Sequence, residues 1–167
     1  SVIATIVSRN FFGIQPWYQV PVVEFTELGQ LPWFILLGFF SGWLGTLFLR
    51  MLHYSGKWFG RLNAPIYIRL PLGGLIVGLI AMEFPQVWGN GYAATNLILN
   101  APMTLTLLAA LFLAKLVATM GSVGSGTVGG IFTPTLFMGA ALGGIFGEAL
   151  HLLGYADAMP ISAFALV

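Results

Sequence analysis

The chain has 167 residues, of which 58% are hydrophobic and 7% are charged, and its net charge is +1. An average soluble domain carries about 25% charged residues, so this composition excludes a water-soluble globule and is typical of an integral membrane protein. A net charge of +1 without a basic stripe gives no support to nucleic-acid binding. The absence of cysteine excludes disulfides and thiolate metal sites.

The first predicted element is the last part of an apolar helix, residues 1–8, ended by Arg9 and Asn10. Because the chain begins inside this pattern and ends inside another, ISAFALV, we expect an internal piece of a longer membrane protein. A complete small protein with trimmed termini is the alternative. The segment that follows the first helix is rich in proline and aromatic residues, which predicts an interfacial loop with Trp17 and Tyr18 at the level of the lipid headgroups.

Two membrane spans separated by a polar connection come next. Residues 31–52 have the length and apolar character of a complete span. Residues 53–69 hold the densest group of positive charges in the chain, so the positive-inside rule predicts that this polar segment lies in the cytoplasm. Residues 70–84 predict a second, shorter span. Glycines in the first span predict close helix neighbours; they are Gly38, Gly42 and Gly45.

The second half alternates long and short apolar segments. Residues 86–102 are too polar for a lipid-facing span and predict a short or re-entrant piece, whereas residues 103–120 predict a strong helix. We expect its single cation, Lys115, to extend towards the membrane interface, and a position facing a pore vestibule is the alternative. A further helix is predicted over about 134–153, and the last begins at Ile161. Short and broken helices of this kind are typical of transporters and channels.

The glycine-rich segment between the last two long helices matches G-x-G-x-x-G at Gly124, Gly126 and Gly129. A dinucleotide-binding fingerprint needs a preceding strand and a βαβ unit, and here a long Leu/Ala-rich helix precedes it. We therefore reject nucleotide binding. Five glycines within residues 121–130 make a poor helix, so we expect a loop at membrane depth. The glycines further on recur every fourth residue and predict a helix-packing face; they are Gly139, Gly143 and Gly147.

The end of this loop has the chemistry of an anion site built from backbone. Pro134 suits the first turn of a helix and Thr133 its N-cap. The N–H groups around Ile131 and Phe132 then have no intrahelical acceptor and lie at the positive end of the helix dipole. Glycines before them allow an ion to approach the backbone closely. We therefore predict that the amides of Ile131 and Phe132 bind an anion.

Residues 124–143 resemble the CLC family of voltage-gated chloride channels and chloride/proton exchangers. The family's G-[IV]-F-x-P core is matched by GIFTP at residues 130–134. PQVWGNGY at 85–92 and AKLVATMGSVGSG at 114–126 add supporting matches in the same order. The filter loop and helix start implied by the resemblance comprise Gly129, Gly130, Thr133 and Pro134.

The resemblance implies an all-α polytopic membrane protein with tilted, broken and re-entrant helices, built as an inverted repeat. This chain would hold the end of the first half and most of the second, as one partial transmembrane domain without a separate soluble domain. The family's activity implies chloride transport by a homodimer in the plasma or inner membrane, with chloride bound by the amides of Ile131 and Phe132. No cofactor, metal ligand or catalytic residue is expected.

Several alternatives stay open at the level of sequence. The family's gating glutamate segment, its serine loop and its filter tyrosine are not found in these residues, so channel and exchanger are both compatible. Another secondary transporter that uses a discontinuous helix for a small anion is the nearest competitor, and a membrane-embedded structural subunit is a further one. A membrane enzyme is disfavoured because the spans hold no paired acids and no Ser/His arrangement.

Overall fold

The computed structural model describes residues 2–13, 18, 20–21, 30–101, 103–155 and 161–167. Within these ranges the regular structure is helical throughout, which confirms the all-α prediction. The elements in chain order are α1 (Val2–Phe12), α2 (Leu31–Arg61), α3 (Ile66–Glu83), a 3-10 turn (Pro85–Val87), α4 (Tyr92–Asn100), α5 (Leu105–Ser125), α6 (Phe132–Leu152) and α7 (Ile161–Leu166).

Four of these helices are long and apolar enough to cross a membrane: α2, α3, α5 and α6. They divide into an inner and an outer pair. In α5 and α6, 44% of the most apolar stretch is buried, against 11% in α2 and 6% in α3. The inner pair therefore forms the protein interior, while α2 and α3 leave large apolar faces that suit contact with lipid.

Helix α5 is the centre of the packing, with α2, α3 and α6 all in contact with it. Leu108 and Leu111 on α5 and Phe137 on α6 are almost completely buried. These side chains pack together with residues of α4, so the inner pair and the short helix share one hydrophobic core. That core fixes the position of α6, whose first turn carries the predicted anion site.

The polar segment at residues 53–69 is mostly helical, which leaves its predicted cytoplasmic position a prediction. Helix α2 continues to Arg61 and α3 begins at Ile66, so only residues 62–65 are non-helical. Tertiary contacts explain the extension: the hydroxyl of Ser55 donates to the carbonyl of Met120 at 2.6 Å, and Phe59 is 2% exposed. A segment that is polar in sequence thus remains helical because its inner face packs on α5.

The first predicted helix also ends later than expected. Helix α1 runs through Arg9 and Asn10 to Phe12. Of the predicted interfacial pair, Trp17 lies outside the described residues. Tyr18 is described, and its ring centroid lies 5.1 Å from that of Tyr92 at the start of α4.

The short piece predicted over residues 86–102 is confirmed. The 3-10 turn and the nine-residue helix α4 occupy it, and nine residues rise only about 14 Å. Gly89 and Gly91 between them adopt φ values of +65° and +86°, which glycine reaches without steric cost. Helix α4 is therefore a short internal helix rather than a membrane span.

The glycines predicted to lie against neighbouring helices in α2 do not do so. Within the described residues, no atom comes within 4 Å of a Cβ built at any of the three; they are Gly38, Gly42 and Gly45. Close approach occurs instead along α5, where a methyl at Gly124 would overlap the side chain of Ser55 on α2. Small residues do mediate the helix contacts, but on the inner helix, because that helix has neighbours on several sides.

Candidate anion-binding site

The site begins where α5 ends. Helix α5 ends at Ser125, five residues later than the sequence predicted. Residues 121–125, predicted as loop, are the last turn of α5, and only residues 126–131 are non-helical. Gly121 and Gly124 are buried against α3 and α2. The low helix propensity of glycine, about 1 kcal/mol against alanine, is offset because only glycine permits these close contacts.

Helix α5 is closed by a left-handed glycine cap. Gly126 has φ +95° and ψ 15°, its N–H donates to the carbonyl of Val123 at 3.1 Å, and the N–H of Thr127 donates to Ser122 at 3.4 Å. This pair of bonds is a Schellman motif. It satisfies the last carbonyls of α5 and turns the chain out of the helix axis.

The G-x-G-x-x-G match divides among three environments. Gly124 lies inside α5, Gly126 caps it, and Gly129 belongs to the loop. The residues before it are helical rather than a strand. The motif therefore does not follow a strand, as the dinucleotide fingerprint requires.

Helix α6 starts at Phe132, two residues before the predicted position. Its N-cap is Ile131, with φ −90° and ψ −11°, rather than Thr133, and it has no side-chain cap. Thr133 and Pro134 both lie inside the first turn. In the first backbone hydrogen bond of the helix, the N–H of Thr135 donates to the carbonyl of Ile131 at 3.1 Å. The helix therefore starts two residues closer to the glycines than predicted, because Ile131 already has helical dihedral angles.

Three consecutive amides at this helix start are left without a backbone acceptor. Within the described residues, the N–H groups of Ile131, Phe132 and Thr133 donate to no backbone carbonyl, and Pro134 has no N–H to donate. The side chain of Phe132 is 73% exposed. These amides occupy the positive end of the α6 dipole, where negative charge is stabilised.

The two glycines that precede these amides have open space at their side-chain positions. No described atom lies within 4 Å of a Cβ built at Gly129 or Gly130, and neither has a positive φ. No acidic residue occurs between Glu83 and Glu148 in the sequence. Glu148 itself lies near the opposite end of α6. An anion can thus reach the first turn without local carboxylate repulsion from this helix.

The rest of α6 is anchored on two sides. Phe137 and Ala141 are fully buried, and a methyl at Gly143 would overlap the carbonyl of Phe164 on α7. The packing face predicted for residues 139–147 is therefore confirmed at Gly143 and at Gly147. It is wrong at Gly139, which lines an apolar cavity of about 380 Å³ between α2, α5 and α6.

A model of the family described as Voltage gated chloride channel matches residues 1–167, the whole chain. The chain belongs to the voltage-gated chloride channel family. A protein of Ralstonia nicotianae named as a ClcB-like chloride channel protein is 42% identical over 163 residues, covering 97% of this chain and 38% of the relative. The voltage-gated ClC-type chloride channel ClcB of Escherichia coli O9:H4 is 44% identical over 118 residues, covering 71% of this chain and 28% of the relative.

Membership in the voltage-gated chloride channel family confirms the resemblance seen in residues 124–143. The chain spans less than two fifths of the length of these relatives, 38% of one and 28% of the other. Family membership does not show which residues bind the ion, so anion binding by the amides of Ile131 and Phe132 stays a prediction.

This family member also buries a lysine that sequence reasoning placed elsewhere. Lys115 is 3% exposed, and its ammonium group donates to the carbonyls of Val87 and Gly89, each at 2.9 Å. The same Nζ lies 5.4 Å from the ring centroid of Phe137 on α6. The expectation that Lys115 extends to the interface is wrong. The glycine-rich turn at 85–92 was the available signal, because such turns expose carbonyls that a buried cation requires.

Proposed function

We propose that this chain forms part of the chloride pathway of a membrane channel or chloride/proton exchanger, with chloride bound by the amides of Ile131 and Phe132. The observation that carries the proposal is the uncapped start of α6, where neighbouring amides lack a backbone acceptor within the described residues. The names of its relatives support chloride as the ion, since both are named chloride channel proteins.

A backbone site suits an ion that must be released quickly. Residues 126–137 contain no Lys, Arg or His, so the loop and the first turn contribute only partial charges, each worth about 0.3–2 kcal/mol. Conduction requires a site favourable enough to enter and weak enough to leave. The protein moves the ion without transforming it.

The same family argument extends to the setting of the pathway. We propose that the complete protein is a homodimer in the plasma or inner membrane. The bacterial origin of the ClcB relatives and the four apolar helices of this chain support the membrane assignment.

Replacing single amides by esters in the full-length protein tests the chloride site. An ester at Phe132 removes its N–H but keeps the side chain. A hydrogen bond to a charged group contributes about 1.5–3 kcal/mol, so chloride affinity measured by calorimetry should fall about 10- to 100-fold. Phe132→Ala, which removes the side chain and keeps the amide, should weaken chloride binding far less.

An ester at Leu136 is the matched control. Its side chain is also exposed, 40%, but its amide lies in the second turn and has an intrahelical acceptor. This ester should lower the melting temperature and leave chloride affinity within about twofold. Equal chloride affinity for the Phe132 ester and the unmodified protein would refute the assignment.

A further inference from the structure

The second half of α2 carries a line of basic side chains on one face. Successive helix residues are rotated by about 100°, so Arg50, Lys57 and Arg61 fall within about 40° of each other around the axis. All three are exposed. Phe48, Ser55 and Phe59 lie on the opposite side and are buried. The packing on α5 therefore directs the basic line away from the protein interior.

The basic line lacks carboxylates in its own part of the chain. No acidic residue lies between Glu27 and Glu83, so neither the described part of α2 nor the start of α3 provides a counter-ion. Lys57 instead contacts an aromatic ring, with its Nζ 5.9 Å from the ring centroid of Tyr54. Among the described residues, the three exposed cations therefore have no carboxylate partner from α2 or from α3 before Glu83.

The same face changes character along the helix. Towards the N-terminus it carries Phe39 and Trp43, which are 73% and 62% exposed and lie within about 20° of Arg50 in projection. Arg50 follows Leu31 by 19 positions, a rise of about 28 Å, close to the thickness of the hydrocarbon core. The face is therefore apolar where acyl chains lie and basic where headgroups lie.

A surface groove occurs where the two regions meet. It has a volume of about 420 Å³ and is lined by Thr46, Leu49, Arg50, His53 and Tyr54. It combines an apolar side chain, a guanidinium, an imidazole and two hydroxyl groups. Further along, Trp58 is 58% exposed, and tryptophan and tyrosine favour the membrane–water interface.

We propose that this face of α2 binds an anionic phospholipid, with its acyl chains along Phe39 and Trp43 and its phosphate at Arg50, extending towards Lys57 and Arg61. Basic residues beside the end of a membrane helix bind anionic lipid in this way. The excess of positive charge places the site in the cytoplasmic leaflet. An acidic surface on a soluble partner would match the cations, but it would leave the adjoining apolar face without a ligand.

Native mass spectrometry of the full-length protein in detergent, with added phosphatidylglycerol or phosphatidylcholine of identical acyl chains, tests the proposal. The wild type should retain phosphatidylglycerol in preference to phosphatidylcholine. Lys57→Gln should weaken phosphatidylglycerol binding about fivefold, the equivalent of about 1 kcal/mol for one cation at the surface. The double variant Arg50→Gln with Arg61→Gln should weaken it about 25-fold.

Two controls separate lipid binding from folding and from net charge. Arg9→Gln removes one exposed cation on α1 and should leave lipid retention unchanged. Arg50→Lys with Arg61→Lys keeps the charges and should retain the lipid within about threefold. If the double glutamine variant fails to fold, Lys57→Gln decides the test, because the Lys57 side chain is exposed.

Equal retention of phosphatidylglycerol by Lys57→Gln and the wild type would overturn the proposal, as would equal retention of the two lipids by the wild type. Capture of an acidic soluble protein without retention of phosphatidylglycerol would also overturn it. The readout is independent of chloride, so its failure is distinct from failure of the proposed transport function.

Discussion

A single side chain, Lys115, joins three parts of this protein. Its ammonium group satisfies the carbonyls of Val87 and Gly89 and lies against the ring of Phe137. A buried cation is tolerated only when such partners are supplied. Lys115 thus connects α5 to the 85–91 turn and to α6, and it acts as a positioning residue for the helix that carries the candidate site.

Lys115→Met is expected to loosen this turn. The substitution leaves two carbonyls without their donor, each costing about 1–3 kcal/mol where water cannot replace it. Hydrogen–deuterium exchange should therefore accelerate in the peptide that covers residues 85–92. Lys57→Met removes an exposed lysine and should leave that exchange unchanged; similar protection in both variants would contradict the role of Lys115.

Two glycines one turn apart on α6 provide a second test at the residue scale. A methyl at Gly143 would overlap the carbonyl of Phe164, whereas nothing described lies within 4 Å of a Cβ at Gly139. Overpacking of this kind costs about 1–3 kcal/mol. Gly143→Ala should therefore lower the melting temperature in detergent.

The matched change Gly139→Ala should leave the melting temperature unchanged or raise it. Alanine is the better helix former by about 1 kcal/mol, and the cavity beside Gly139 has room for a methyl group. A melting temperature lowered equally in both variants would contradict the packing of α6 on α7.

At the scale of elements, the boundaries of α2 and α5 show where sequence reasoning succeeds and fails. The apolar lengths of both helices were predictable, because spanning a bilayer requires about 20 apolar residues. Their C-terminal ends were not. Ser55 and Phe59 hold the end of α2 on α5, and a contact between segments 65 residues apart leaves no local signal in the sequence.

The cap of α5 gives a prediction at this scale. Gly126 has φ +95°, and its added Cβ would lie 3.1 Å from Cδ1 of Ile66. Left-handed backbone costs a non-glycine residue about 1–2 kcal/mol. Gly126→Ala should therefore lower the melting temperature of the full-length protein.

Gly129→Ala is the control from the same loop. Gly129 has no positive φ, and no described atom lies within 4 Å of a Cβ built there. The melting temperature of the Gly129→Ala variant should therefore stay close to that of the wild type. A loss of stability at Gly129 as large as at Gly126 would show that the loop, rather than the helix cap, is what alanine disturbs.

At the scale of the whole molecule, the candidate site is anchored but open. The later turns of α6 are buried in the core, while its first turn is exposed, with Ile131 at 41% and Phe132 at 73%. This chain covers 38% of the relative from Ralstonia nicotianae. We therefore propose that helices outside these residues complete the anion site.

Residues 1–167 alone are therefore expected to give no chloride conduction. Liposomes that contain only these residues should lose chloride at the rate of protein-free liposomes, and liposomes with the full-length protein should lose it faster. Chloride efflux from the 167-residue protein well above the protein-free rate would show that its own helices enclose a complete pathway.

The sequence by itself determined the class of this protein and the chemistry of its candidate site. Composition requires a membrane environment, and GIFTP at residues 130–134 indicates the family before any fold is known. Both follow from local residue patterns.

Only the tertiary structure decided that α2 extends to Arg61, that Gly121 and Gly124 lie inside α5, and that Lys115 is buried. Each of these depends on a partner distant in the chain. The end of α2 is held by a backbone carbonyl of α5, the two glycines face helices too close to admit a methyl group, and the lysine binds a pair of carbonyls in a turn. Local propensity favours a loop or an exposed cation at these positions. Packing overrides this local preference, because buried contacts and satisfied hydrogen bonds stabilise the folded state by more than the propensities destabilise it.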